Sequence, residues 1–248
     1  MKRHPLQLLV LVAMATIFLL SFATQDAQAS HFRGGHLTWN KVSGSTNQVN
    51  IKFRHFWACC PTSGQIKDGN GSLVASIPVG TVVASGTDLG GASWQIYENN
   101  LTVTLTGPSP HTLEIIPSCC RIGPLVNAAN NFWRIQTVID LASGQTGSTV
   151  SSLPPILQVF KGPNNISIPV GDPDGSDITC RMATSAESSI ACTPGLTGPS
   201  CTGGPAAVVT NDCRIVWDAT NQANKAKHAI QVALEQGGSR TSLDIIME

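Results

Sequence analysis

Two pairs of adjacent cysteines, Cys59-Cys60 and Cys119-Cys120, constrain this 248-residue chain more than any other feature. Neighbouring side chains on an extended strand point to opposite faces, so the two members of a pair cannot readily serve one partner. The other four cysteines are Cys180, Cys192, Cys201 and Cys213, so each half of the chain holds an even number. In an exported protein that arithmetic reads as two disulfides per half. Adjacent cysteines match structural zinc spacing poorly. In the first half, the economical arrangement bonds one pair to the other. A bond within a pair would close a strained, readily reduced ring, and it stays open as the alternative. In the second half a nested pairing, Cys180 with Cys213 and Cys192 with Cys201, is expected among the three connectivities that four cysteines allow.

The N-terminus supplies the compartment. Lys2, Arg3 and His4 precede an apolar run from Leu8 to Phe22, and Ala27-Gln28-Ala29 forms a small-x-small cleavage pattern. Residues 1–29 are therefore expected to be a signal peptide, with the mature chain starting at Ser30. The apolar run is short of the ~20 residues a membrane span needs, and the final SRTSLDIIME carries no apolar tail. A secreted or extracellular protein without a membrane span follows, in the periplasm or on the cell surface if the host is bacterial.

Composition narrows the class further. Lys and Arg number 15, as do Asp and Glu, which gives no electrostatic case for nucleic acid. Charged residues make up only 12%, against about 25% usually. Val49–Phe53 and Leu101–Leu105 alternate apolar with polar, and His36–Lys41, Ser93–Glu98, Thr112–Ile116 and Phe132–Leu141 read as further strands between Gly- and Pro-rich breakers. Residues 142–155, ASGQTGSTVSSLPP, read as a linker. Beyond them lie strand patterns at Ile156–Phe160, Ile166–Val170, Ile178–Met182, Ala206–Thr210 and Cys213–Trp217. The expectation is an all-β protein of two tandem β-sandwich domains, residues 30–141 and 156–248. Residues 219–236 fit a helical face, yet Ile230, Val232 and Leu234 alternate before Gly237-Gly238 and Leu243 and Ile245 alternate after it. A hairpin is the expectation there.

The stretches HFRGGHLTW (31–39), SCCRIGPLVNAANNFWRIQTVIDL (118–141) and PPILQVFKGPNNISIPVGDPDGSDITCRMAT (154–184) recur in a fixed order. In them the chain resembles a group of secreted or cell-surface proteins built from tandem immunoglobulin-like modules of the cadherin and PKD type. That group has no assigned activity, so the resemblance implies architecture and location rather than a mechanism. It also implies that the sandwiches are immunoglobulin-like.

Asp172, Asp174 and Asp177 place three carboxylates within six residues. Clustered oxygen ligands suit Ca²⁺, and the cadherin-like resemblance favours that option. A turn whose Asp side chains cap its own backbone is the other. Asn70, Asn100 and Asn165 head glycosylation sequons, at a number chance would supply. There is no G-x-S-x-G, H-E-x-x-H or phosphate-loop motif. Trp39, Trp57, Trp94, Trp133 and Trp217 lie in strand-like contexts and are expected in the core.

The function expected is a non-catalytic surface, adhesion or matrix protein, not an enzyme. It needs no cofactor unless the Asp cluster takes Ca²⁺, and its partners would be other surface or matrix proteins or glycans. The alternative is a secreted carbohydrate-active protein: a glycan-binding module, or a copper monooxygenase using an N-terminal His31 with His36, His55, His111 or His228. Cleavage after Ala29 leaves Ser30 ahead of His31, which argues against copper.

Overall fold

The computed structural model describes residues 31–59, 61–116, 120–123, 125–128, 132–190 and 207–248. The expected signal peptide, Cys60, Cys119, Cys192 and Cys201 lie outside the described residues. Strands run through β1 (Phe32–Lys41), β2 (Gln48–Trp57), β3 (Gly64–Asp68), β4 (Leu73–Ile77), β5 (Thr81–Thr87), β6 (Ser93–Thr104), β7 (His111–Ile115) and β8 (Ile135–Ile139). They continue through β9 (Val150–Ser151), β10 (Ile156–Leu157), β11 (Pro163–Ser167), β12 (Val170–Gly171) and β13 (Thr179–Met182). The one-turn helix α1 (Ser185–Ser188) precedes β14 (Val208–Thr210), β15 (Arg214–Asp218), β16 (His228–Gln236) and β17 (Ser239–Met247).

Period-2 patterning decides most of these. In β2, Val49, Ile51 and Phe53 are buried while Asn50 and Lys52 are exposed, as in a strand with one wet face. It pairs antiparallel with β1 on one side and β6 on the other. The two runs expected at 93–98 and 101–105 are a single strand, β6. Ile156–Phe160 is strand only over its first two residues, because Gly162 and Pro163 bend the chain away.

The main sheet runs β4-β3-β7-β8-β17-β1-β2-β6-β5. Residues 78–80 alone join β4 to β5, so the two ends of this path lie close together and the sheet folds over on itself. Between its halves sits a core containing Phe32, Leu37, Trp39, Phe53, Ile66, Leu113, Trp133 and Ile135. A second core, including Leu157, Ile215, Trp217, Ile230, Leu243 and Ile245, lies between β16–β17 and the three-stranded sheet β11-β15-β14. The molecule is all-β, with sandwich layering, as expected. Trp39, Trp57, Trp133 and Trp217 are buried; Trp94 is half-buried and packs over Gly86.

Strand β17 belongs to both cores' surroundings. One edge pairs along its length with β16. The other edge is divided: Arg240 and Thr241 pair with β8, Leu243 and Asp244 with β1, and Ile246 and Met247 with β10. The β16–β17 hairpin turns on Gly237 and Gly238, both at positive φ (49° and 88°), as a two-residue primed turn requires. No helix forms over residues 219–236, since β16 is buried on both faces.

Part of the segment 142–155 packs against the fold. Gln145, Ser148 and Thr149 are buried, and the Trp39 and Ser148 backbones are joined by a 2.9 Å hydrogen bond. Cys180 and Cys213 form a disulfide, one of the pairs expected. Cys120 is disulfide-bonded as well. Among the described residues no helix is long and apolar enough to cross a membrane.

Candidate functional site

The loop between β10 and β11, Gln158-Val159-Phe160-Lys161-Gly162, carries the most exposed large apolar side chain among the described residues, Phe160 at 82%. It is held there by one buried amide. Asn164 Oδ1 accepts from the Phe160 backbone N–H (3.0 Å), while Asn164 Nδ2 donates to the carbonyls of Phe160 (2.7 Å) and Gly162 (2.8 Å). A lone exposed hydrophobe is ordinary. Here the backbone that presents the exposed ring is held by a satisfied side-chain bracket.

Phe160 stands at the lip of a cleft of about 340 Å³. The opposite wall is the loop after β15, where Asp218 Oδ1 accepts from the Thr220 N–H (2.9 Å) to form an Asx turn. The Ala219 N–H donates to the Gly162 carbonyl (2.9 Å), tying the two loops together. Trp217 lies at the floor, its ring edge-on to His228 with centroids 4.9 Å apart. Burial lowers the His228 pKa. Lys161 and Lys225 line the cleft and are exposed, and Glu248 lines it from below, buried.

Glu248 links the cleft to the interior. Its Oε1 accepts from the Leu89 N–H (2.8 Å) and its Oε2 lies 3.4 Å from Lys227 Nζ. Lys227 also pairs with Asp88, which Arg33 reaches at 2.8 Å. Burial alone would raise the Asp88 pKa, but hydrogen bonds from Lys227 and Arg33 outweigh it and hold the carboxyl well below the usual range.

Other ion pairs lie elsewhere among the described residues. Arg121, of the CCR segment, forks onto Asp244 with both side chains wholly buried, and Gln231 Nε2 donates to Asp244 Oδ2 (2.9 Å). The HFRGG glycines let neighbouring backbones approach: a Cβ on Gly34 would sit 2.3 Å from the Asp244 carbonyl oxygen of β17, and one on Gly35 2.6 Å from the Arg54 carbonyl oxygen of β2. On α1, Thr184 and Glu187 form a capping box, and Arg181 reaches both Glu187 oxygens at 2.8 Å. Burial opposes ionisation of Glu187, yet Arg181, the Thr184 N–H and Arg240 lower its pKa to about 2.

The sites read from the sequence are placed as follows. Asp174 accepts from the N–H groups of Thr146 (2.8 Å) and Gly147 (3.2 Å) and from the Thr146 hydroxyl. Asp172 accepts from the Ser176 N–H, while Asp177 lines a different cleft, beside Glu235 and Arg240. The three carboxylates thus face separate partners. Among the described residues no three His, Cys, Asp or Glu side chains gather as a metal site requires. His55 lies in the core: the Trp57 indole N–H, which can only donate, points at Nδ1, so Nε2 carries the proton towards Asn99 Oδ1 (3.0 Å). His111 begins β7 and His228 begins β16, while His36 is half-buried on β1.

Sequence patterning missed Phe160, Lys161 and Lys225 as a group. The one available signal was an aromatic residue directly before the turn cluster Lys161-Gly-Pro-Asn-Asn.

Residues 33–142 match the family described as Integrin beta-like protein A-E, N-terminal. The chain is 29% identical over 178 residues to Integrin beta-like protein C of Dictyostelium discoideum, covering 62% of this chain and 8% of that one. It is 28% identical over 153 residues to Integrin beta-like protein B of the same organism, covering 56% and 8%. For Integrin beta-like protein A the identity is 28% over 181 residues, covering 63% and 9%. The chain therefore spans less than a tenth of the length of these relatives. No solved structure matches it.

Proposed function

We propose that this is an exported, non-catalytic protein of the cell surface or matrix that acts by adhesion. On this reading it is built of two immunoglobulin-like modules, residues 30–141 and 156–248, behind a signal peptide of residues 1–29. Its partners are other surface or matrix proteins or their glycans. The observation that carries the reading is Phe160, exposed at the lip of a cleft on a loop whose backbone Asn164 holds. Burying such a ring against a partner gains roughly 25 cal/mol per Å², and the bracketed backbone leaves less of the loop to be ordered on binding.

Two further observations support it. Residues 33–142 match a family named integrin beta-like, as are the Dictyostelium discoideum relatives. The buried charges Arg121, Asp244, Arg33 and Asp88 are paired with one another inside the fold, the use a scaffold makes of charge.

Adhesion of beads coated with the secreted protein to matrix and cells from its native surface tests the proposal. Retention that falls when Phe160→Ala replaces the parent is expected. Retention no greater than that of an unrelated β-sandwich would overturn it.

A further inference from the structure

The cleft beside Phe160 also limits what kind of ligand it can take. Its main-chain donors are largely used within the fold. The Val159 N–H donates to the Glu248 carbonyl, Ala219 to Gly162, Gln222 to Ala219 and Ala226 to Ala223. An extended peptide is normally recognised by pairing with free main-chain groups of a strand edge, and these loop walls offer few. Recognition falls instead to side chains.

Those side chains form a particular set. Phe160 gives a flat apolar face, Asn224 an amide, and Lys161 and Lys225 two exposed ammonium groups. Among the described residues neither lysine has an acidic partner within ion-pair distance. Glu248 contributes a buried carboxylate whose Oε2 has no hydrogen-bond donor within the fold. That oxygen is shut off from solvent and faces Lys227, so recognition of ligand hydroxyls falls to the Asn224 amide on the cleft wall. A saturated ring bearing hydroxyls on its edge, C–H groups on its face and one carboxylate satisfies the aromatic face, the amide and the two ammonium groups together.

We propose that this cleft binds an acidic sugar unit, a uronic-type residue within a glycan. Its C–H face packs on Phe160, its carboxylate lies between Lys161 and Lys225, and a hydroxyl donates to the Asn224 amide oxygen. The proposal rests on the adhesion reading for its biological setting, while the binding chemistry stands separately from it.

Isothermal titration of the full secreted chain with tetragalacturonate tests it, with a neutral galactose tetramer, polyglutamate and anionic lipid vesicles as competing probes. The expected result is binding of the acidic tetramer at least about tenfold tighter than the neutral one, a difference of about 1.4 kcal/mol. Phe160→Ala should weaken that binding at least about tenfold. Since the ring is exposed, the variant's melting temperature should stay at the parent's. The double variant Lys161→Gln, Lys225→Gln should bind acidic and neutral tetramers alike and lose its salt dependence. Equal binding of the two tetramers by the parent, or tighter binding of polyglutamate or vesicles, would overturn the acidic-sugar assignment. So would a Phe160→Ala variant that binds as the parent does. Bead adhesion that depends on Phe160 without tetragalacturonate binding would remove the sugar and leave the adhesion reading standing; the reverse pattern would do the opposite.

Discussion

Arg121 and Asp244, 123 positions apart in sequence, form a two-pronged ion pair from which solvent is wholly excluded. The Arg121 guanidinium also lies 5.7 Å from the centroid of the Phe32 ring. Removing one member of such a pair strands the other charge in the interior and costs about 3–5 kcal/mol. Arg121→Met should therefore lower the urea midpoint severely. The double variant Arg121→Met, Asp244→Leu should recover most of the loss, because apolar replacement of a whole buried pair is close to neutral. Urea titrations of the parent and the two variants decide it. A single variant as stable as the parent would show that the pair contributes nothing.

His55 predicts how stability follows pH. Burial lowers its pKa from 6.5 to about 4, against the raising effect of the Asn99 hydrogen bond. Above pH 6.5 neither the folded nor the unfolded chain holds the proton, so stability is full. Between 6.5 and 4 the unfolded chain takes it up and the folded one does not, so stability falls with pH. The loss is on the order of 3 kcal/mol across that window. Urea midpoints measured from pH 7 to 4 should decline less steeply for His55→Gln than for the parent. Parallel slopes would remove His55 from the pH response.

The Cys180–Cys213 bond spans 33 positions. In the chain-entropy model, closing a loop of that size is worth about 4 kcal/mol. Replacing both cysteines by Ala should lower stability by that order, with the remaining disulfides intact. Non-reducing peptide mapping of the parent should recover this bond directly. A map pairing Cys180 with another cysteine would contradict the fold around β13 and β15.

Asp174 ties the turn at 172–177 to Thr146 and Gly147. The side chain is exposed, so Asp174→Ala should cost only about 1 kcal/mol, by an equal amount with and without millimolar Ca²⁺. Differential scanning calorimetry in both conditions checks it. A parent melting temperature that rises with Ca²⁺, and a variant that does not respond, would establish a cation site instead.

Local patterning carried the strands that have one wet and one dry face. Val49–Phe53, Leu101–Leu105 and the β16–β17 hairpin around Gly237-Gly238 were legible because period and turn chemistry are short-range properties. β3, β4 and β5 were not, since their runs are short and β5 is almost wholly exposed. Nor was the company β17 keeps: Gly35 meets Asp244 and Val138 meets Arg240 through separations that no window along the sequence samples. The HFRGG and CCR segments stood out as distinctive, but only the folded chain joins them, through the backbone bridge between Phe32 and Arg121 and through Asp244, whose main chain meets Gly34 and whose carboxylate meets Arg121. The cleft was illegible for the same reason, because Phe160 and Lys225 come from loops that meet only after β11 and β15 pair.

The antiparallel pairing of β1 with β17 has a mechanical consequence. Gly35 lies opposite Asp244 and His36 opposite Leu243, so the beginning of β1 and the end of β17 emerge at the same end of the ladder. A pull between those two points loads this pairing as a zipper, one hydrogen-bonded rung at a time, rather than in shear with all rungs resisting together. Anchored and tugged there, the molecule would yield gradually from that end, and the Arg121–Asp244 clasp just inside it would be among the first features to bear the load.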